Sequence, residues 1–410
     1  MRRGTRFFTS CWVTFAAAAT LLAAMLVAGV SRNLSAATIE ITAPNGNGTQ
    51  GNGVVPQPDG APSVFVEEAG GALFNYWYAN GKWDAAEIVS SGVGSYPTAI
   101  LQADGSPSVF FIGTDGSLWN YRYVDGTWES TEVATSGVMS YGPYSLISAP
   151  DVIVQGGEPT AFVPGCGATN FCSNAAGIWE YVESSSGTWS SNEIISASAD
   201  EALEMGPAIV VTAPNPSGTV TLFVTRGSAL WEYQAPSWTG AQVIPGGSAG
   251  VVTLQPDGYP SIFTDYVQGV LTSTQVFLRN YWYANGAWDT ADLAAPFVNS
   301  DLAVTLQPDG SPSVFYLQTD ALWNAWYVNG PWDNSQITTQ SVSSTYPLSV
   351  TLQPDGSPSL FGVDPNGGLV NYWYVNGRWN AGTVVASSVG IPQTPVCAPS
   401  AAQAGLERAC

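Results

Sequence analysis

Three features of the 410-residue sequence predict an all-β protein: a ring of seven four-stranded antiparallel blades, a β-propeller. The first is repetition. "QPDG" stands at 57, 255, 307 and 353 and "QADG" at 102. After it come a "PSVF"-like run, an aromatic run such as "LWNYRY" or "NYWY", an Asn-Gly or Asp-Gly pair, and a Trp. The second is number and period. One Phe marks each copy (Phe65, Phe110, Phe162, Phe223, Phe263, Phe315, Phe361) and one Trp closes it (Trp83, Trp128, Trp189, Trp238, Trp288, Trp332, Trp379). Seven copies of roughly 45 residues match the period of a propeller blade. The third is composition: 44 glycines and 12% aromatic residues suit many tight turns. A stacked solenoid would use shorter repeats and terminal caps, so ring closure fits better.

The elements follow in order. Residues 1–37 form a secretory signal: Arg2, Arg3 and Arg6 precede an apolar run from Cys11 to Val30, and small residues, Ser35–Ala37, follow. An uncleaved anchor is the alternative, because the apolar run approaches the length of a bilayer span. Residues 38–56 read as an N-terminal linker, 57–390 as the propeller and 391–410 as a C-terminal tail. The first blade can take its innermost strand from "TIEITAP" or "GNGVVPQ". The last blade carries four strands of its own, so strand exchange across the seam is not required.

Within a repeat, the first strand is small and apolar ("LAVTLQ"), as a strand covered on both faces must be. Gly in the "PDG" turn supplies the positive φ that side-chain-bearing residues resist. The "PSVFF"-like second strand leads to the third, where alternation puts Leu, Asn and Trp or Arg on one face and Trp or Phe, Tyr and Tyr on the other. A two-residue "NG" or "DG" hairpin follows. The fourth strand ("TWESTEVA") is the most polar and belongs outside. Copies three and five are lengthened by loops, and copies three and four read "WEY" where the others read "NYWY" or a relative.

Composition excludes several chemistries. The chain has no His, which removes His-metal sites, Ser-His-Asp triads and imidazole bases. Four of its 10 basic residues (Arg2, Arg3, Arg6, Arg32) and none of its 31 acidic ones lie in the signal segment. The remainder is strongly acidic, as suits solubility outside the cell. Nucleic acid and anionic membrane would be repelled, and no membrane insertion is expected after cleavage. Four cysteines remain once Cys11 is removed, and they allow three pairings. Local pairing, Cys166 with Cys172 and Cys397 with Cys410, closes short loops at low entropic cost. No cofactor or metal site is expected: "DPNGG" at 364–368 lacks EF-hand spacing.

The stretch "DGSPSVFFIGTDGSLWNYRYVDGTWESTEV" (104–133) resembles the repeat of PLL-like β-propeller lectins, and "LWNAWY" at 322–327 carries the same pattern. The likeness spans residues 57 to about 390 and is strongest in repeats one, two, six and seven. It implies shallow glycan sites in the clefts between neighbouring blades, often for fucose or O-methylated sugars. The Arg/Glu/Trp set that fungal fucose lectins place in each site does not recur here.

The candidate glycan-binding residues are therefore one face of the third strand: Asn75 and Trp77, Asn120 and Arg122, Asn280 and Trp282, Asn324 and Trp326, Asn371 and Trp373. An indole can stack on the C–H face of a sugar while an amide meets its hydroxyls. The competing reading has each Asn complete a local turn and each Trp pack on the next blade. The expected function is a secreted, multivalent lectin without catalytic activity. Alternatives are a structural or protein-binding surface propeller and, third, a carbohydrate-active enzyme. The repeated acids sit in "DG" turns, where they bond their own backbone. The only acidic cluster suited to chemistry is Glu180, Glu183, Glu193, Asp200, Glu201 and Glu204.

Overall fold

The computed structural model describes residues 45–46, 48–49, 53–138, 149–165, 177–196, 209–212, 219–226, 229–245, 250–268, 275–293, 298–328 and 330–390. The signal segment, the Cys166, Cys172, Cys397 and Cys410 pairings, and Asp200, Glu201 and Glu204 lie outside them. The described residues contain no helix.

They form seven four-stranded antiparallel sheets and a short hairpin, Asn45–Gly46 with Gly48–Thr49. The innermost strands are Val54–Pro56, Thr98–Leu101, Asp151–Gln155, Ile209–Thr212, Val251–Leu254, Val298–Leu306 and Ser349–Leu352. Each neighbours the next, and the last neighbours the first, so the ring closes. Every blade consists of four consecutive strands in order, and none is exchanged at the seam. The innermost strand of blade 1 lies inside "GNGVVPQ", so the first sheet begins at Val54, ahead of residue 57.

Local chemistry explains the hairpins. In blades 1, 2, 5 and 7 the turn between third and outer strands has positive φ at both central residues: Asn80 and Gly81, Asp125 and Gly126, Asn285 and Gly286, Asn376 and Gly377. Two left-handed residues in succession make the twist-matched hairpin that Asn-Gly and Asp-Gly favour. In the "DG" turns before the second strand, the carboxylate of Asp59, Asp104, Asp257, Asp309 or Asp355 accepts the backbone N–H two residues on, at 2.9–3.1 Å. The glycines there are needed twice over. Gly310 and Gly356 have φ near +80°, and a Cβ on either would come within 2.8 Å of the Pro ring in the preceding blade's turn, Pro256 or Pro308.

One contact repeats around the whole ring. The Phe of each blade, no more than 1% exposed, meets the closing Trp of the following blade edge-to-face. The seven pairs are Phe65–Trp128, Phe110–Trp189, Phe162–Trp238, Phe223–Trp288, Phe263–Trp332, Phe315–Trp379 and, across the seam, Phe361–Trp83. Centroids lie 5.7 to 6.2 Å apart. Aromatic pairs of this geometry add roughly 0.5–1.5 kcal/mol each beyond burial.

The seam repeats the ordinary junction between blades. Val93, which follows the outer strand of blade 1, donates to the turn carbonyl of Gly71 and bridges to Gly113 of blade 2. Val138 does the same with Gly116 and with Gly165 of blade 3. After blade 7, Val389 donates to Gly367 and bridges to Glu68 of blade 1. Backbone bonds from Ala69 to Ser388 (2.7 Å) and from Gly390 to Glu67 (3.1 Å) complete the fastening.

Candidate functional site

The third strands run through Ala72–Ala79, Leu118–Val124, Gly177–Glu183, Ala229–Gln234, Gln275–Ala284, Ala321–Tyr327 and Leu369–Val375. Register places the expected Asn opposite the buried Phe of the second strand: Asn75 with Phe65, Asn120 with Phe110, Asn280 with Phe263, Asn324 with Phe315 and Asn371 with Phe361. Antiparallel partners share a face of the sheet, so these amides point toward the next blade at the level of the aromatic pairs. Asn75 is half-buried and the other four are buried.

Each amide is held by a serine of the second strand. The pairs are Ser63–Asn75 (2.8 Å), Ser108–Asn120 (2.6 Å), Ser261–Asn280 (2.9 Å), Ser313–Asn324 (2.8 Å) and Ser359–Asn371 (2.8 Å). Asn324 and Asn371 also donate to the carbonyls of Val314 and Leu360, both at 3.1 Å. The amides are thus spent across two strands rather than on a local turn.

Two residues toward the hairpin, on the same face, stand Trp77, Trp282, Trp326 and Trp373, all half-buried. Arg122 occupies this place in blade 2 and behaves differently. Its guanidinium is hydrogen-bonded and ion-paired to Glu183 of blade 3, and its Nε donates to Asn120 Oδ1 at 2.7 Å. Glu183 is buried, so the pair fastens blade 2 to blade 3 at the place where blades 1, 5, 6 and 7 present an indole.

Among the described residues a cleft of about 440 Å³ lies between blades 6 and 7, within the range of small-ligand sites. Blade 6 contributes Thr305, Ser313, Asn324, Trp326 and Ser335, and blade 7 contributes Asp355, Ser357, Tyr374, Arg378 and Trp379. The cleft is thus lined by an indole, hydroxyls and one amide from blade 6 and by a carboxylate, a guanidinium and a second indole from blade 7. Hydrogen bonds from Ser357 hold the Asp355 carboxyl below the usual carboxylate range, so it is anionic at neutral pH. Among the described residues Lys82, Arg122 and Arg279 each have an acidic partner, Asp84, Glu183 and Asp292. Arg378 is a described cation with no ion pair among those residues.

On the blade 6 side this cleft is lined by Asn324 and Trp326, two of the residues singled out from the sequence. The blade 7 side was missed, because one repeat does not show what its neighbour turns toward it. The recurring "DGS" turn was the available signal. Gln307 and Gln353, which open these turns, donate to the carbonyls of Tyr327 and Tyr374 at 3.0 and 2.9 Å, tying each turn to the tip of the aromatic hairpin.

Of the acidic cluster of repeat three, Glu180, Glu183 and Glu193 are described, and Glu180 and Glu183 have different surroundings. Glu183 serves Arg122, while Glu180 lies opposite Phe162, its carboxyl pushed up by burial. Asp364 of the "DPNGG" stretch bonds the backbone N–H groups of Asn366 and Gly368. No group of three or more potential metal ligands occurs among the described residues.

No protein-family model and no curated protein sequence matches the chain. Solved structures similar in outline include AofleA from Arthrobotrys oligospora, 14% identical, TM-score 0.45, covering 85% of this chain and 89% of that one. The Aleuria aurantia lectin with Fucα1-6GlcNAc is 14% identical, TM-score 0.44, over 83% and 95%. A Bacteroides uniformis protein provisionally assigned as a 6-phosphogluconolactonase is 12% identical, TM-score 0.47, over 80% and 97%. Overlaps of this depth carry no argument about ligand or chemistry. The seven-bladed ring rests on the chain's own sheets.

Proposed function

We propose that the protein is a secreted, multivalent, non-catalytic lectin that holds glycans in clefts between its blades. The observation that carries this reading is the cleft between blades 6 and 7. Trp326 offers a flat apolar surface for the C–H face of a sugar. Asp355 accepts and Arg378 donates hydrogen bonds, a combination that suits vicinal hydroxyls. The resemblance of the repeat to PLL-like propeller lectins supports the same reading. A single shallow cleft binds weakly, and several on one ring gain avidity on a glycan-bearing surface. The net charge of −21 argues against nucleic acid as partner.

The test is a glycan array probed with the chain lacking residues 1–37. Binding is expected, and Trp326→Ala combined with Trp373→Ala should lower it at least tenfold while circular dichroism stays that of the folded ring. Absence of binding to every glycan overturns the reading. A second reading, a protein-binding surface propeller, draws on the tyrosines exposed at the hairpin tips, Tyr78, Tyr123, Tyr327 and Tyr374. It gains if the array is blank and protein capture depends on those rings.

A further inference from the structure

The cation in the cleft between blades 6 and 7 is out of keeping with the chain around it. The chain has 31 acidic and 10 basic residues, and four of the basic ones lie in the signal segment. Arg378, the residue before the closing Trp379, lines that cleft and is exposed. The same place holds Lys82 in blade 1 and Thr127, Thr188, Ser237, Ala287 and Pro331 in blades 2 to 6. Lys82 is ion-paired to Asp84, two residues on, at 2.6 Å. The residue after the closing Trp is acidic in blades 1, 2, 5 and 6: Asp84, Glu129, Asp289 and Asp333. In blade 7 it is Asn380, whose amide donates to the Arg378 carbonyl at 3.4 Å. An amide thus stands where an acid would neutralise this cation along the strand, and Arg378 keeps its charge without an ion pair among the described residues.

A neutral sugar does not call for a guanidinium, because a hydroxyl donor of the kind found at Thr127 or Ser237 would serve it. A guanidinium adds a fixed charge and a planar fork of donors that matches the oxygens of a carboxylate or a sulfate ester. Asp355, in the same cleft, does not set blade 7 apart: the same turn aspartate recurs as Asp59, Asp104, Asp257 and Asp309. Its Oδ1 accepts the N–H and the hydroxyl of Ser357, at 2.9 and 2.5 Å, which leaves the other oxygen for a sugar hydroxyl. The excess of acid over the rest of the chain repels anions at long range. A negatively charged sugar therefore needs a local cation that offsets this field, and Arg378 supplies one at a cleft that also holds an indole.

We infer that the cleft between blades 6 and 7 takes an acidic sugar, its carboxylate or sulfate paired with the Arg378 guanidinium and its ring against the Trp326 indole. The inference rests on the lectin reading above and adds to it the charge class of the ligand and the residue that selects it.

The experiment is titration calorimetry on the chain lacking residues 1–37. It uses matched series: glucose with glucuronate and glucose 6-sulfate, galactose with galacturonate and galactose 6-sulfate, and the neutral, uronate and sulfated forms of any sugar bound on the array. In at least one series an acidic sugar should bind roughly fivefold tighter than its neutral parent, and the arm that gains, uronate or sulfate, identifies the anion. Arg378→Gln should reverse that preference, because the acidic field of the chain then acts unopposed. Asn380→Asp restores the carboxylate that blade 1 sets beside Lys82. It should erase the preference with the arginine still in place, leaving neutral-sugar affinity and melting temperature as in the parent, which separates lost recognition from lost folding. Neutral sugars bound at least as tightly as their acidic forms in every series, or a preference that survives Arg378→Gln, overturns the inference and leaves the lectin reading standing. A blank array together with no binding in any series overturns both.

Discussion

Blades 3 and 4 and the arc running from blade 5 through blade 7 to blade 1 are held in the ring by the same contact but present different clefts. Phe162–Trp238 and Phe223–Trp288 are edge-to-face pairs like Phe263–Trp332 and Phe315–Trp379. The neighbouring positions diverge. Where the regular arc pairs Ser313 with Asn324, blade 3 has Thr160 with Glu180 nearby, and blade 4 has Thr221 with Glu232. Where the regular arc shows Trp326, these blades show Val182 and Gln234. Blade-to-blade cohesion is therefore separable from cleft chemistry: one column builds the ring, and an adjacent column decides what a cleft can hold.

That separation is broken or sharpened most forcefully through the ring column. Phe162→Ala and Phe315→Ala should each cost about 3–5 kcal/mol in denaturant unfolding, with values within about 1 kcal/mol of each other. A cost in one arc much smaller than in the other would mean the aromatic pairs do not carry equal weight around the ring.

The next effect belongs to the boundary between the arcs. Arg122→Ala strands the buried Glu183 carboxylate and should cost roughly 2–3 kcal/mol, somewhat under the usual range for a buried pair because Arg122 is partly exposed. Replacing both partners with Met should restore most of the loss, since the charge left behind causes the damage. Lys82→Ala breaks the exposed pair with Asp84 in the regular arc and should shift stability by under about 0.5 kcal/mol. Unfolding midpoints of the four proteins decide this.

Much of this arrangement was legible in the sequence, for physical reasons that also mark where legibility stops. Strand periodicity, Asn-Gly turns and the Phe and Trp columns are local patterns, and they specified seven blades with the correct face alternation in the third strand. The destination of the amides was not read, although its partner stood in plain view. The Ser of "PSVF" precedes Phe wherever Asn follows, and it becomes Thr in "PTAF" and "VTLF", where Glu follows. The Arg122–Glu183 pair joins residues 61 positions apart on different blades, and the far wall of the Trp326 cleft likewise comes from another repeat. Such contacts depend on which blade faces which, and a single repeat does not contain that information.

The smallest effect tests whether the degenerate arc bears a strain the regular arc avoids. Burial raises the Glu180 carboxyl above its ordinary range, so the folded chain favours its protonated form more than the unfolded chain does. Its contribution is most favourable below the unfolded pKa and is lost as pH rises through the raised, folded one. At neutral pH the ionised group is therefore a net cost, and Glu180→Gln should raise the melting temperature by about 1–2 °C. The gain should fade as pH falls through the carboxylate range, where both proteins are neutral at this position. Asn324 is an uncharged amide already bonded to Ser313, so Asn324→Gln should give no gain at any pH. A Glu180→Gln gain that persists unchanged in acid would assign it to packing rather than charge, and blade 3 would then differ from the regular arc in shape alone.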